Sequence, residues 1–407
     1  MLTHTNSPLQ NLMHDVIQIL EKKTCNGETT FVCSPLSLNA TLNMVAAVTK
    51  GRTLEKYLDF LGLKSVENVN SISMKIMDVT CKRGPSQNIT GDRRRDLIIS
   101  FVNGAWASKC FPIVHSYLEL LSRVYNAESK VVDFQNKADE VVDEVNSWAK
   151  AATRGLITNI LKPKSLSPDI AIILANGLYF KGTWSREFDA KYTKNRDFYI
   201  LNGDTVSVLF MTNHHDKYLY GSCEGFKVLK IWYQSGNGKA ALNPQFAMYL
   251  FLPDVRDRLQ DLLREFESNP GFSQKDLRSN MDLEKLDEIW IPKFKFSYDF
   301  DVCGEMLDMG HSLPTNENPR DFTEIIHVPN PKGIPVFVTN MFHKAFIEVD
   351  EIGTEAAAIS IYIMDGCAMS RIEHPSFIAN HPFFLHDQGR DVRVGSFHWS
   401  SRKSNLR

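Results

Sequence analysis

Apolar residues recur at helical spacing through the first third of the chain. In NLMHDVIQILEK, Leu12, Val16 and Leu20 fall on one stripe, which predicts an amphipathic helix. SPLSLNATLNMVAAVTKGRT predicts a second helix, with Ser34 as N-cap and an end near Gly51. ADEVVDEVNSWAKAATRGLITNIL predicts one long amphipathic helix that closes at Gly155. Strand signals then take over. DLIISFVNGAWAS, DIAIILANGLYFKGTW and QFAMYLFLPD are rich in Ile, Phe, Tyr and Leu and end on turn residues. IWIPKFKFSYDF alternates apolar and polar, and PVFVTNMFHKAFIEVDEIG reads as one or two strands. Helices first and long strands later give an α+β class with a large sheet. There is no repeat and no low-complexity linker, so residues 1–407 are expected to form a single domain.

One segment suits both periods. TEAAAISIYIM is a helix if Thr354 caps Glu355-Ala356-Ala357-Ala358. Read as a strand, it carries Thr354, Ala356, Ala358 and Ser360 on one face and Glu355, Ala357, Ile359 and Ile361 on the other. The first set is uniformly small, and such a face can slide into a tight gap in an existing sheet. A turn-like Asp365-Gly366 and a lone Cys367 follow.

Composition narrows the setting. Hydrophobic residues make up 43% and charged residues 23%, the balance of a soluble globular protein. Net charge is −2, which points to neither nucleic acid nor an anionic membrane surface as partner. The seven cysteines are odd in number and include no C-x-x-C pair, so reduced thiols are expected rather than a disulfide framework or zinc cluster. The N-terminus has polar residues where a signal peptide has its apolar block. The expectation is a cytoplasmic protein, or one exported to the extracellular space by an unconventional route.

Enzymatic motifs are missing. G-x-S-x-G, H-E-x-x-H, the Walker loop and the EF-hand loop are absent. GNGKAA at Gly236 has no βαβ context and reads as a hairpin turn. His214-His215 and the C-terminal histidines match no structural metal spacing. Neither catalysis nor a cofactor or metal is expected.

Several blocks resemble one family. DEIGTEAAAIS is similar to the hinge of serpins, E-x-G-T-E-A-A-A-A-T. CSPLSLNATL resembles the family's F-S-P-x-S-I-x-x-A-L through Ser34, Pro35 and Ser37. LANGLYFKGTWSREF is similar to N-A-I-Y-F-K-G-x-W-x-x-x-F through Asn176, Phe180, Lys181, Gly182, Trp184 and Phe188. NSWAKAATRGLITNIL, IPKFKF, MFHKAFIEVDEIGTEAA and FIANHPFFL match further blocks, in the family's order, up to Phe383.

The resemblance implies a serpin fold: a five-stranded central sheet, two smaller sheets, about nine helices and an exposed reactive loop, here about residues 351–371. It implies a monomeric suicide inhibitor of serine proteases. The loop is attacked as a substrate, an acyl-enzyme forms, and the cleaved hinge (Gly353, Thr354, Glu355, Ala356, Ala357, Ala358) inserts into the central sheet, its small face fitting under a covering helix. Ser34, Ser37, Asn176 and His343 resemble the polar group beneath the sheet centre. Glu351 and Lys293, beside Trp184, resemble a salt bridge at its top; all seven control sheet opening. The family's usual scissile position, fourteen after the hinge glycine, is Cys367, followed by Ala368, which suits elastase- or chymotrypsin-like proteases. Counting back from the C-terminal signature instead lands near Arg371, a trypsin-type residue. Lys82, Arg83, Arg93, Arg94 and Arg95 lie near where some serpins bind sulfated glycosaminoglycans such as heparin; the other reading is a solvated charged loop, which also holds the sequon Asn88-Ile89-Thr90. A non-inhibitory carrier, chaperone or binding module on the same fold is the competing function, and the intact small hinge argues against it.

Overall fold

A computed structural model describes residues 18, 30–81, 98–213, 217–234, 246–268, 280–301, 304, 319–327, 341–353, 374–388 and 393–399. The N-terminal stripe, the basic loop with Lys82 to Arg95, the hinge from Thr354, and Cys367, Ala368 and Arg371 lie outside the described residues. Three sheets and six α-helices are seen among those described. None of these helices is long and apolar enough to cross a membrane.

The longest strands build a five-stranded sheet in the order β12 (Phe294–Asp301), β13 (Met341–Val349), β4 (Ile172–Lys181), β2 (Ile98–Ser108), β3 (Glu128–Val132). A four-stranded sheet has the order β14 (Ser376–Ile378), β11 (Glu288–Pro292), β6 (Thr205–Met211), β5 (Lys194–Tyr199). Shorter strands form a seven-stranded sheet: β1 (Thr30–Cys33), β16 (Arg393–Trp399), β15 (Phe383–Gln388), β9 (Ala247–Pro253), β8 (Phe226–Trp232), β7 (Lys217–Cys223), β10 (Asp282–Lys285). The helices are α1 (Pro35–Ala46), α2 (Gly51–Leu61), α3 (Val66–Cys81), α4 (His115–Tyr125), α5 (Phe134–Ala152) and α6 (Leu259–Ser268).

The five-stranded sheet is covered on both faces. This is why β2 and β4 read as nearly unbroken apolar runs rather than as alternating strands. On one face lies the main core, which includes Ala105, Leu174, Met341, Ala345, Ile347 and Val349. On the other, α5 lays down its buried stripe of Phe134, Val141, Val142, Val145 and Ala149. Trp106, Ile173 and Ala175 of the sheet join that second cluster, with Phe342 and Phe346 of β13 against it. The helix stops where Arg154 and Gly155 turn left-handed, with the Gly155 amide donating to the Lys150 carbonyl (2.7 Å). The following segment returns over the sheet, held by the Asn146 side chain, whose Oδ1 accepts from the amides of Ile160 (2.8 Å) and Leu161 (2.9 Å).

Two sequence expectations shift. Gly51 does not end α1, which stops at Ala46; it opens α2 at φ 57°. The cap of α2 comes from far along the chain, as Asp321 Oδ2 accepts from the Thr53 amide (3.3 Å). IWIPKFKFSYDF is two strands in two sheets: Pro292 pairs with Phe210, while Phe294 pairs with Val349.

Candidate functional site: the seam between β4 and β13

The strands β4 and β13 are parallel neighbours far apart in sequence. Their pairing runs from Met341↔Leu174 to Ala345↔Leu178 and goes no further among the described residues. Both strands continue past that point. On its outer side β13 stays paired with β12 to Val349, and β4 with β2 to Lys181. The upper seam is therefore a wedge whose two lips are each held from behind.

The lower seam is underpinned by buried polar groups. Asn103, Asn176 and His343 stand in one row across β2, β4 and β13, on the face toward the main core. The N-terminus of α1 meets this row from below. The Ser34 amide donates to His343 Nε2 (3.3 Å), so the neutral ring carries its proton on Nδ1 and faces Ser37 Oγ at 3.2 Å. Ser37 Oγ in turn donates to Asn176 Oδ1. Asn176 Nδ2 donates to Asn103 Oδ1 (2.5 Å), and Asn103 Nδ2 to the Tyr125 carbonyl (2.7 Å). One directed chain of donors thus runs from α1 through three strands to the end of α4. Burial pushes the His343 pKa down to about 3, so the ring is neutral at ordinary pH.

The top of the seam is closed by Asp350–Gly353. The Asp350 amide donates to the Gly353 carbonyl (2.9 Å), while Asp350 Oδ1 accepts from the amides of Ile352 (2.9 Å) and Gly353 (3.1 Å). On the other side Gly353 forms an antiparallel bridge with Thr183, just past the end of β4. Gly353 therefore sits between extensions of both lips. A Cβ here would stand 2.0 Å from the Gly182 carbonyl oxygen, at φ 152°, so only glycine fits.

Glu351 is the latch of this turn. It is buried, and its carboxylate accepts from Lys293 Nζ (2.7 Å) and Thr193 Oγ1 (2.6 Å). Burial alone would raise its pKa, but the bonds from Lys293 and Thr193 outweigh it and hold the carboxyl below the ordinary range. Trp184 backs the turn, its indole Nε1 donating to the Asp350 carbonyl (2.9 Å) and its ring stacked on Tyr233 at 4.7 Å.

Ser34, Ser37, Asn176 and His343 thus meet in one cluster, and Lys293, Glu351 and Trp184 in another, as the sequence suggested. Asn103, Thr193, Asp350 and Tyr233 were not foreseen. Asn103 had a signal, a polar residue inside an apolar strand, but Asn103-Gly104 reads as a turn. Thr193 had none, because its partner lies 158 positions away. Among the described residues no His, Cys, Asp and Glu cluster could hold a metal ion.

The serpin family model, described as "Serpin (serine protease inhibitor)", matches residues 9–390. This chain belongs to the serpin family. It is 38% identical over 377 residues to Serpin-Z10 of Arabidopsis thaliana, covering 91% of this chain and 92% of that one. The solved structure of Arabidopsis AtSerpin1 in its "Native Stressed Conformation" has a TM-score of 0.78 and 34% identity, over 97% of this serpin and 98% of that chain. Thyroxine-binding globulin in complex with thyroxine shares the fold alone, at TM-score 0.74 and 20% identity, over 95% of this chain and 98% of that one. Membership supports protease inhibition in general, and thyroxine-binding globulin shows the same fold holding thyroxine.

Proposed function

We propose that this serpin is an inhibitory one, and that it traps serine proteases by inserting its cleaved hinge into the β4/β13 seam. The observation that carries this reading is the seating of Gly353. It is already paired with Asp350 on one lip and bridged to Thr183 on the other. Continued along either lip, the two registers agree. Counted from Asp350, Ser360 would stand opposite His343; counted from Thr183, it would stand opposite Asn176. His343 and Asn176 are partners in the present sheet. A strand could therefore enter without either lip sliding.

On this register Thr354, Ala356, Ala358 and Ser360 would face the main core, beside Val349, Ile347, Ala345 and His343. That reverses the expectation that the small face lies under the covering helix: the helix side would receive Glu355, Ala357, Ile359 and Ile361. Smallness matters most against the core, where Val349, Ile347 and Ala345 are already buried.

The energetics favour insertion once the loop is cut. A strand running back from Gly353 is antiparallel to both lips and replaces one parallel pairing by two antiparallel ones. About ten new backbone hydrogen bonds at ~0.5–1.5 kcal/mol each amount to roughly 5–15 kcal/mol. This is comparable with the stability of a whole domain, so the uncut form is a kinetic trap.

In the reaction, the protease serine Oγ attacks the Cys367 carbonyl, the Ala368 amine leaves with a proton, and an ester joins protease to inhibitor. The fourteen steps to Cys367 span roughly 46 Å when extended, so insertion carries the ester about a protein diameter before water can cleave it. The small Cys367 side chain favours elastase- and chymotrypsin-like targets; Arg371 is the trypsin-type alternative. A sulfated polysaccharide on Lys82, Arg83 and Arg93–Arg95 is a further part of this proposal.

The test is incubation with elastase, chymotrypsin and trypsin in turn. An SDS-stable complex is expected, with a released C-terminal fragment beginning at Ala368. A fragment beginning at Ile372 would move the bond to Arg371. Cleavage by all three without any complex would sink the inhibitory reading.

A further inference from the structure

The upper seam carries a charge arrangement that the latch does not explain. Glu348 lies on β13 just above the last rung shared with β4. Across the antiparallel pairing it faces Lys295 of β12, whose Nζ lies 3.2 Å from Oε1 and 3.1 Å from Oε2. The Lys295 ammonium also sits 5.7 Å from the Phe346 ring centre. Glu348 is thus engaged by Lys295 across the paired boundary, while β4 on the other side of β13 offers no rung at this height among the described residues.

We infer that Lys295 is a positioning residue for strand insertion: by engaging Glu348 from behind, it keeps the upper seam fit to receive an acidic strand. This rests on the insertion reading above. The incoming strand carries Glu355, which on the shared register stands opposite Glu348. Like charges directly opposite on neighbouring strands are destabilising, and Lys295 neutralises one of them.

The test uses the full-length, uncut protein and a synthetic peptide of residues 354–365, TEAAAISIYIMD, whose uptake is followed by native gel. This needs no knowledge of the target protease. Wild type is expected to take up the peptide. Lys295→Met slows uptake about three- to tenfold at low salt, and by less than twofold near 1 M salt, where the screening length is about 3 Å. Lys295→Arg keeps the wild-type rate. Adding Glu348→Gln to Lys295→Met restores the rate. An unchanged rate in Lys295→Met, or a slowed rate that Glu348→Gln does not restore, overturns the role of Lys295 while leaving insertion intact. A wild-type protein that takes up no peptide overturns the insertion reading and this inference with it.

Discussion

The two halves of one seam are built in opposite ways. Below Ala345, β4 and β13 are paired rung by rung, and the side chains beneath them form a directed hydrogen-bond chain with His343, Asn176 and Asn103 all buried. Above it the lips are unpaired among the described residues, edged by charge, and closed by a four-residue turn with Gly353 at its tip. The lesson is one of sequence in time. A strand that starts at Gly353 meets the open half first, and reaches the polar row only after about six residues are in. On the proposed mechanism the upper half would govern admission, and the lower half would be the barrier that keeps the uncut protein in its trap.

The largest effect is expected from charging the inserting face. Thr354→Arg puts a guanidinium against the main core beside Val349, where an unpaired charge costs several kcal/mol. Covalent complex should vanish on SDS gels while loop cleavage continues. Persistent complex would mean that the core-facing register is wrong.

Next comes the turn. Gly353→Val drives a Cβ onto the Gly182 carbonyl, whose backbone cannot swing aside. Unfolding in urea should occur with about 2–4 kcal/mol less stability. A midpoint within error of wild type would show that the turn adjusts freely.

The polar row should respond to pH. His343 has a folded pKa of about 3, below the ordinary value of 6.5, so between these limits the unfolded chain binds the extra proton. Its contribution is fully present above pH 6.5 and is lost as pH falls toward 3, at about 1.4 kcal/mol per pH unit. His343→Gln should flatten that part of the stability profile measured by urea unfolding from pH 7 to 4. Asn103→Ala, which strands the Tyr125 carbonyl and Asn176 Nδ2, should cost about 1–3 kcal/mol at pH 7. An unaltered slope in the first variant, or no loss in the second, would detach the row from the barrier.

The smallest effect is expected at the latch. Glu351→Gln keeps an oxygen to accept from Thr193 and Lys293, and the lysine side chain is 30% exposed and can turn to water, so the change should cost only about 1 kcal/mol. The folded pKa of Glu351 is depressed, so this contribution is present above about pH 4.5 and lost as pH falls below it. A cost above that of Asn103→Ala would reverse the ranking of the two halves.

Much of the site was legible because its members lie in ordered blocks that resemble a known family. Ser34 as N-cap, the halt of α5 shortly before Gly155 and the long strands followed from local rules. What escaped needed the folded chain. The end of α1 was misread because Gly51, which usually stops a helix, begins one whose cap is the distant Asp321. IWIPKFKF looked continuous because Trp290, Pro292, Phe294 and Phe296 keep one alternation while the chain passes from one sheet to another. The partial pairing of β13 left no trace in its sequence, since its odd positions are buried along the whole strand.

The central claim is that the cleaved hinge becomes a strand between β4 and β13 in one register. Cysteines at Ala345 and Ala358, which that register puts directly opposite each other, test it most directly. The account predicts no Ala345→Cys–Ala358→Cys disulfide in the intact protein and its formation, mapped by peptide mass, once the loop is cut. A disulfide formed equally before cleavage, or none after it, would contradict the account.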